Sequence, residues 1–202
     1  MRLHAPAAER NALPILEVLR ERFPSSGLVL EVASGTGQHV ATFAAAMPGL
    51  RFAPSDRDAD ALRSIGAWTE GMDNVAPAVQ LDVSSARWPV GTVDAVFCAN
   101  MIHIAPEEVV GGLMRGASEH VAPGGVLALY GPFRVGGQHT APSNAAFDAS
   151  LRSRDPSWGV RDLESVEAMG RAAGFDLEHV QEMPANNKLV FFRRTARAER
   201  PE

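Results

Sequence analysis

Cysteine is nearly absent from this sequence: Cys98 stands alone among 202 residues. No internal disulfide is available, and the composition suits a reducing, cytoplasmic setting. Positive charge is not in excess, because 19 basic residues face 24 acidic ones for a net charge of −5. That balance argues against an extended nucleic-acid surface. No apolar run approaches the length of a membrane span, so no membrane partner is expected. Arg2 and Arg10 have no apolar core between them, so no secretory signal is read at the N-terminus. Repeats and long low-complexity tracts are missing, and no cluster has metal-ligand spacing, so no metal is expected. What remains is an apolar fraction of 46% in a length that suits one domain, residues 1–202. Nothing in the pattern specifies an oligomeric state.

The chain is organised around Leu28-Val29-Leu30-Glu31-Val32-Ala33-Ser34-Gly35-Thr36-Gly37-Gln38-His39-Val40. A short apolar run bounded by Gly27 and Ser34-Gly35 predicts a buried strand. Gly35 and Gly37 permit a tight turn and let a ligand approach the backbone. Val40, Phe43, Ala44 and Met47 then recur at helical spacing up to the breaker Pro48-Gly49. Strand, glycine turn and helix N-terminus make a nucleotide-type site. A dinucleotide fingerprint needs a third glycine, and Val40 or Gln38 stands where it belongs. The pattern instead resembles the first motif of class I S-adenosylmethionine methyltransferases, acidic-x-Gly-x-Gly-x-Gly, here Glu31-x-Ala33-x-Gly35-x-Gly37. Ala33 departs from it by one methyl group. That resemblance implies a turn, including Ser34, packed on the methionine part of S-adenosyl-L-methionine, with Glu31 holding the site together. An unrelated α/β domain with a glycine turn is the competing account.

Before the first strand, residues 1–27 predict a helix with one apolar face, broken near Pro14. Its polar side carries Arg10, read either as a solvated residue or as part of a lid whose fork pairs with the methionine carboxylate. A second strand is expected over 50–56, ending at Pro54 because proline cannot serve a central ladder. Asp56 follows Gly37 by 19 residues, where a carboxylate can accept from ribose hydroxyls. Helix capping by Asp56 or Asp58 is the alternative. Residues 75–81 read as the third strand, and the resemblance to class I methyltransferases, which often carry an acidic residue at this end, implies that Asp82 bonds the adenine amino group, a donor suited to an acceptor-only side chain. Val83 would flank the ring. A turn aspartate before Ser84-Ser85 is the bland account of Asp82.

Residues 93–99 are almost wholly apolar, as in a strand covered on both faces. They run into Asn100-Met101-Ile102-His103 at the crevice end of a doubly wound sheet. Asn100 and Met101 are expected beside the cofactor. Methyltransferases of base amines and amide nitrogens often carry Asn-Pro-Pro-Tyr here, and only Asn100 matches it, which lowers those acceptors. Pro106-Glu107-Glu108 predicts a helix start, with Val109, Leu113, Ala117 and Val121 as its stripe. Pro123-Gly124-Gly125 is expected to end that helix and open a fifth strand at Val126. Residues 131–161 break the βα alternation, with a short helix expected over 144–152. This insertion is the natural place for acceptor contacts, with Asn144, Trp158 and Arg161 as candidates, although Trp158 alone reads better as a core plug. Asp162 predicts the cap of a last helix. Two strands over 175–182 and 188–193 then pair antiparallel, because their connection is too short for a crossover. Residues 194–202 are expected to fray.

Further motifs widen the resemblance. Pro6-Ala7-Ala8-Glu9-Arg10-Asn11, Pro54-Ser55-Asp56, Tyr130-Gly131-Pro132-Phe133, Asn144-x-x-Phe147-Asp148 and Asp155-Pro156-x-Trp158-Gly159-x-Arg161-Asp162 look like an uncharacterised methyltransferase-like family of bacteria and animals. The match covers nearly the whole chain. It implies an α/β, Rossmann-like class I fold: a mostly parallel seven-stranded sheet closed by an antiparallel hairpin. It also implies S-adenosylmethionine-dependent methyl transfer to an acceptor it does not name. A small-molecule acceptor is expected from the modest size and acidic charge. His103 is the candidate base, because histidine titrates near neutrality and its position faces the crevice. A hydrogen-bonded structural histidine is the competing account. Tyr130 is expected to orient the acceptor or touch the cofactor. The rivals are a nicotinamide-dependent oxidoreductase, weakened by the missing third glycine, and a non-catalytic cofactor-binding module.

Overall fold

The computed structural model of the protein describes residues 1–195. Helix α1 (Pro6–Arg22) leads into strand β1 (Gly27–Val32), helix α2 (Gln38–Ala46), strand β2 (Leu50–Asp56), helix α3 (Ala59–Trp68) and strand β3 (Val79–Gln80). Strand β4 (Val93–Ala99), a 3-10 turn (Met101–His103), helix α4 (Glu107–His120) and strand β5 (Val121–Gly131) follow. The insertion holds a small hairpin, β6 (Arg134–Val135) and β7 (Gln138–His139), and helix α5 (Pro142–Arg154). Helix α6 (Leu163–Ala172) and strands β8 (Phe175–Met183) and β9 (Asn187–Arg194) close the chain.

The seven-stranded sheet has the order β3-β2-β1-β4-β5-β9-β8. Its first five strands are parallel and the last two antiparallel, as expected. Successive residues of one strand enter opposite cores. Leu30, Val96 and Leu127 pack under α4 and α6, whereas Val29, Phe97 and Ala128 pack under α1 and α2. Burial on both faces explains why these strands read as continuous apolar runs. The chain leaves the β3 edge and returns as β4 beside β1. The direction of winding therefore reverses between β1 and β4, which opens a crevice beyond their C-terminal ends.

Several local expectations are corrected. Pro14 does not break α1, which runs unbroken through it. It lies on the side of exposed Arg10, while Ile15, Leu16 and Leu19 anchor the opposite side in the core and offset the lost hydrogen bond. β2 continues through Pro54 to Asp56. Phe52 exchanges hydrogen bonds with Asn74 and Ala76, and Asp56 accepts from Leu81. By alternation, Pro54 also faces that edge, where the ladder is interrupted at Pro77 and no N–H is required. The same interruption reduces the third strand to Val79–Gln80 plus a bridge between Phe52 and Val75. β5 begins at Val121, with Pro123-Gly124-Gly125 looped out between the Val93 and Ala95 pairings. α5 is longer than expected, and the β6–β7 hairpin was not foreseen. Arg194 is not frayed: it pairs with Phe175 and donates to the Gly174 carbonyl at 2.8 Å. Residues 196–202 of the expected tail lie outside the described residues.

Candidate functional site

The turn after β1 is left-handed at three alternate positions, Ala33 (φ 55°), Gly35 (φ 56°) and Gly37 (φ 89°). At Gly37 the need is also steric, because a Cβ would sit 2.7 Å from the Ile65 Cα. At Gly35 a Cβ would meet nothing within 4 Å, so the turn is open on that side to an approaching group. Ala33 holds a conformation that glycine adopts without penalty, which gives its departure from the motif a physical cost.

Hydrogen bonds weld this turn to β2. The Ser34 N–H donates to the Ser55 carbonyl at 2.8 Å, and the Ser55 hydroxyl donates to the Glu31 carbonyl at 2.8 Å. The Asp56 carboxylate accepts the Gly35 N–H at 2.9 Å and the Asp58 N–H at 3.0 Å. Asp58, not Asp56, caps α3, accepting from the N–H groups of Asp60 and Ala61.

A cleft of about 240 Å³ opens beside this turn. Asp56, Arg57 and Asp82 give it a polar side. Leu81, Val83, Met101, Ile104 and Val109 give it apolar walls, and Ala33 lies at its inner end. Asp82 is exposed and accepts the Ser84 N–H at 2.9 Å, so it also makes the turn bond of the bland account. Glu31 is buried behind the turn with one carboxylate oxygen unpartnered. Burial pushes its carboxyl up to about 8, against a hydrogen bond from Ser34 and with the help of nearby Asp56. Ser34, Gly35 and Gly37 do not form cleft wall; they shape the turn above it.

Asn100 ends β4 in the left-handed region at φ 59°. Its N–H donates to the Tyr130 carbonyl and its own carbonyl accepts from the His103 N–H. This sharp bend carries Met101 to the cleft and turns His103 away from it. His103 is fully buried. Its Nδ1 accepts the Arg161 N–H at 3.2 Å, its carbonyl accepts the Gly159 N–H, and its ring meets Phe133 edge-on. Burial pushes it down to about 3, with the Arg161 guanidinium adding to the effect. His103, expected to face the crevice, is instead bonded between the post-β4 bend and the insertion, off the cleft lining. Tyr130 also lies off the cleft. It is buried in the core under α1 and α2, and burial raises its phenol to about 12 against a hydrogen bond with Asn187.

The other candidates are spread around the rim. Arg10 is exposed on α1. The strand of chain before it is tied down by Ala5, whose N–H donates to the Gln38 Oε1, and by Leu3, which bonds Ser64 and Trp68. Asn144 is buried, its amide donating to Thr140 and to the Asn186 carbonyl. Trp158 is half-buried under the Arg154 guanidinium rather than plugged into the core. Arg161 binds the carbonyls of Ile102, Ala105 and Ser157. Arg57, Ile104 and Ala105 line the cleft without having been singled out. Their residue types carry no signal, and only the bend at Asn100 brings the latter two there. Among the described residues no group of three or more His, Cys, Asp or Glu is placed to hold a metal ion. No described helix is long and apolar enough to cross a membrane.

Residues 2–194 match a family described as a protein of unknown function, DUF938. Among solved structures, an O-methyltransferase family 2 protein from Planctomyces limnophilus in complex with apigenin superposes with a TM-score of 0.79 at 18% identity, over 94% of this chain and 58% of that one. The S-adenosylmethionine-dependent methyltransferase SibL gives 0.77 at 23% identity, over 94% and 56%. CalO1, a methyltransferase in calicheamicin biosynthesis with S-adenosylhomocysteine bound, gives 0.73 at 18%, over 92% and 54%. The chain spans a little over half the length of these proteins, and at such identities the likeness establishes the fold.

Proposed function

The chain belongs to that family of unknown function, DUF938, and we propose that it is an S-adenosyl-L-methionine-dependent methyltransferase acting on a small-molecule acceptor. The observation that carries this reading is one cleft at the strand ends that joins a left-handed glycine turn to two carboxylates, Asp56 and Asp82, over apolar walls. The residues present fit the cofactor. Asp56 has lone pairs left for ribose hydroxyls after its two backbone bonds. Asp82 offers an acceptor to the adenine amine, between Leu81 and Val83 for the ring's edges. Glu31 keeps an unpartnered buried oxygen behind the turn, where a nearby positive charge would favour its ionised form. Arg10, exposed on the first turns of α1, is the cation this reading assigns to the methionine carboxylate.

When bound, the cofactor supplies an electrophilic methyl group on a sulfonium that is already a good leaving group. The protein's work is then alignment and exclusion of water. Ala33, Ser34, Gly35 and Gly37 shape the turn beside the cleft, and Asn100 sets the bend that presents Met101 to the cleft. His103, Arg161, Tyr130 and Asn144 are positioning residues in this reading, because each is buried or bonded away from the cleft. Trp158 is left on the acceptor side with Asn144 and Arg161. Cys98, free and buried, supports a cytoplasmic setting. Residues 1–27 act as a lid and 131–161 as the acceptor side of a single domain.

Calorimetric titration with S-adenosylmethionine, S-adenosylhomocysteine and NAD tests the reading, on the native chain and on Asp82→Ala. Binding of the first two, weakened about tenfold or more in the variant, is the expected result. Binding of NAD alone would replace it with an oxidoreductase. Cofactor binding without turnover across a panel of small hydroxyl and amine acceptors would favour a non-catalytic module.

A further inference from the structure

A second cavity, about 340 Å³, lies on the other side of the α4 N-terminus from the cofactor cleft and shares no lining residue with it. Its size is within the range of small-molecule pockets. Arg134, Arg152 and Arg161 come to it from β6, α5 and the end of the insertion, and Val110, Val166 and Met169 form its apolar base. Three guanidinium groups around one cavity repel one another. Arg161 shows it, because burial lowers its guanidinium and Arg152 and Arg134 push the same way, with Glu107 opposing.

The cavity also holds Glu107, Glu108 and Asp162, so lining charge alone does not decide what it takes. Spare hydrogen-bonding capacity does. Glu107 and Glu108 are exposed, and water satisfies them. The Asp162 carboxylate accepts the Gly137 N–H at 2.8 Å. Arg152 is engaged by Asp148 at 3.0 Å, and Arg161 by three carbonyls, none of which neutralises it. Arg134 is different. Its backbone is fixed by the pairing with His139 and by its N–H to the Arg161 carbonyl, yet its Nε is buried with no partner among the described residues. The rest of the Arg134 side chain is half-buried at the cavity wall, with the Asp162 carboxylate near its charge, and an oxyanion in the cavity is a ligand that can bond the guanidinium there.

We propose that this cavity is a binding site for a small oxyanion, a carboxylate or phosphate, with Arg134 as its principal contact and Arg161 and the Ser165 hydroxyl beside it. The site is separate from the cofactor cleft and does not depend on the methyltransferase reading. Arg161 holds the carbonyls of Ile102 and Ala105, and Ala105 lines the cleft on the opposite side. An anion on Arg161 therefore acts on the same segment that forms the cleft wall.

The test titrates the whole chain with inorganic phosphate and, separately, with succinate, by calorimetry. Saturable binding of either probe is expected, weakened about tenfold or more in Arg134→Gln. Ser165→Glu should weaken it likewise, since Ser165 is exposed and the change places a negative charge at the wall without emptying the core. Both variants should keep native thermal stability and native S-adenosylhomocysteine affinity, which separates this site from the cleft. Phosphate without succinate, or the reverse, names the class of oxyanion. Absence of saturable binding by both probes, or equal binding by the native chain and both variants, overturns the proposal.

Discussion

Asp56 accepts the N–H of Gly35 across 2.9 Å, so the end of β2 and the turn after β1 are one rigid unit. The carboxylate that the proposed ribose would meet is thus also the group that holds the turn open. Asp56→Ala removes an acceptor from two backbone N–H groups, the second on Asp58. We expect a loss of about 1–3 kcal/mol of stability together with loss of S-adenosylhomocysteine binding. Asp56→Asn keeps only one of the two acceptor oxygens that Gly35 and Asp58 use, so it should keep part of the stability while still weakening binding. Melting curves with and without S-adenosylhomocysteine separate the two effects. An Asp56→Asn chain with native affinity would remove the ribose role.

The left-handed positions give opposite predictions for similar changes. Ala33→Gly relieves a φ of 55° and should be neutral or stabilising by up to about 1 kcal/mol. Gly37→Ala brings a Cβ to 2.7 Å from the Ile65 backbone at a φ of 89° and should cost more than about 1–2 kcal/mol. Chemical denaturation of the two variants checks both. Equal effects would mean that backbone strain does not govern this turn.

The architecture was legible because its signals are local and repeated. Apolar runs such as 93–99, the glycine turn and the hairpin around 184–187 each follow from residue type and spacing. Pro54 misled, because proline's tolerance depends on whether the neighbouring ladder needs its N–H, and that was set by Pro77 more than twenty residues away. The site was half legible for the same reason. Asp56, Asp82, Val83 and Met101 follow strand ends and do line the cleft. His103 follows a strand end too, but the positive φ of Asn100 rotates the chain behind it, and no sequence pattern reports that rotation. Arg161 was expected near an acceptor and instead staples three carbonyls, a role visible only once residues 102–105 and 157 are side by side.

Stability should pass through a maximum between two buried titrations. His103 is held down to about 3 and His39 to about 4, both chiefly by burial. Each stays neutral in the folded chain while the unfolded chain takes up a proton below about 6.5. Stability is therefore lost as pH falls from that value toward 4 and below. Glu31, pushed up to about 8 from 4.5, works in the opposite sense. The folded chain keeps a proton that the unfolded chain releases, so stability falls as pH rises from about 4.5 to 8. Glu31→Gln should remove that downward contribution between about 4.5 and 8, flattening the alkaline side most, and leave the profile below about 4.5 unchanged. Melting temperatures across this range test it, and an unchanged alkaline slope would assign that slope to other groups.

Gly131 and His103 supply the last prediction, because they distinguish a pin from a base. A Cβ on Gly131 would sit 2.5 Å from the His103 Nε2, so Gly131→Ala must push the ring or the end of β5 aside. His103 in turn holds Arg161 and Gly159 through backbone hydrogen bonds. The expected outcome is a loss of about 1–3 kcal/mol, with weaker S-adenosylhomocysteine binding as the segment carrying Met101 and Ile104 loosens. His103→Asn leaves the packing smaller but keeps a polar group within the pocket. If His103 is only a pin, activity on a true acceptor should fall with the loss of cofactor affinity and recover at saturating cofactor, with no change in the shape of the pH–rate profile. A turnover number that stays low at saturation, with one limb of that profile removed, would show that the ring reaches the acceptor after all, through a movement that brings its unpartnered Nε2 out from behind Gly131.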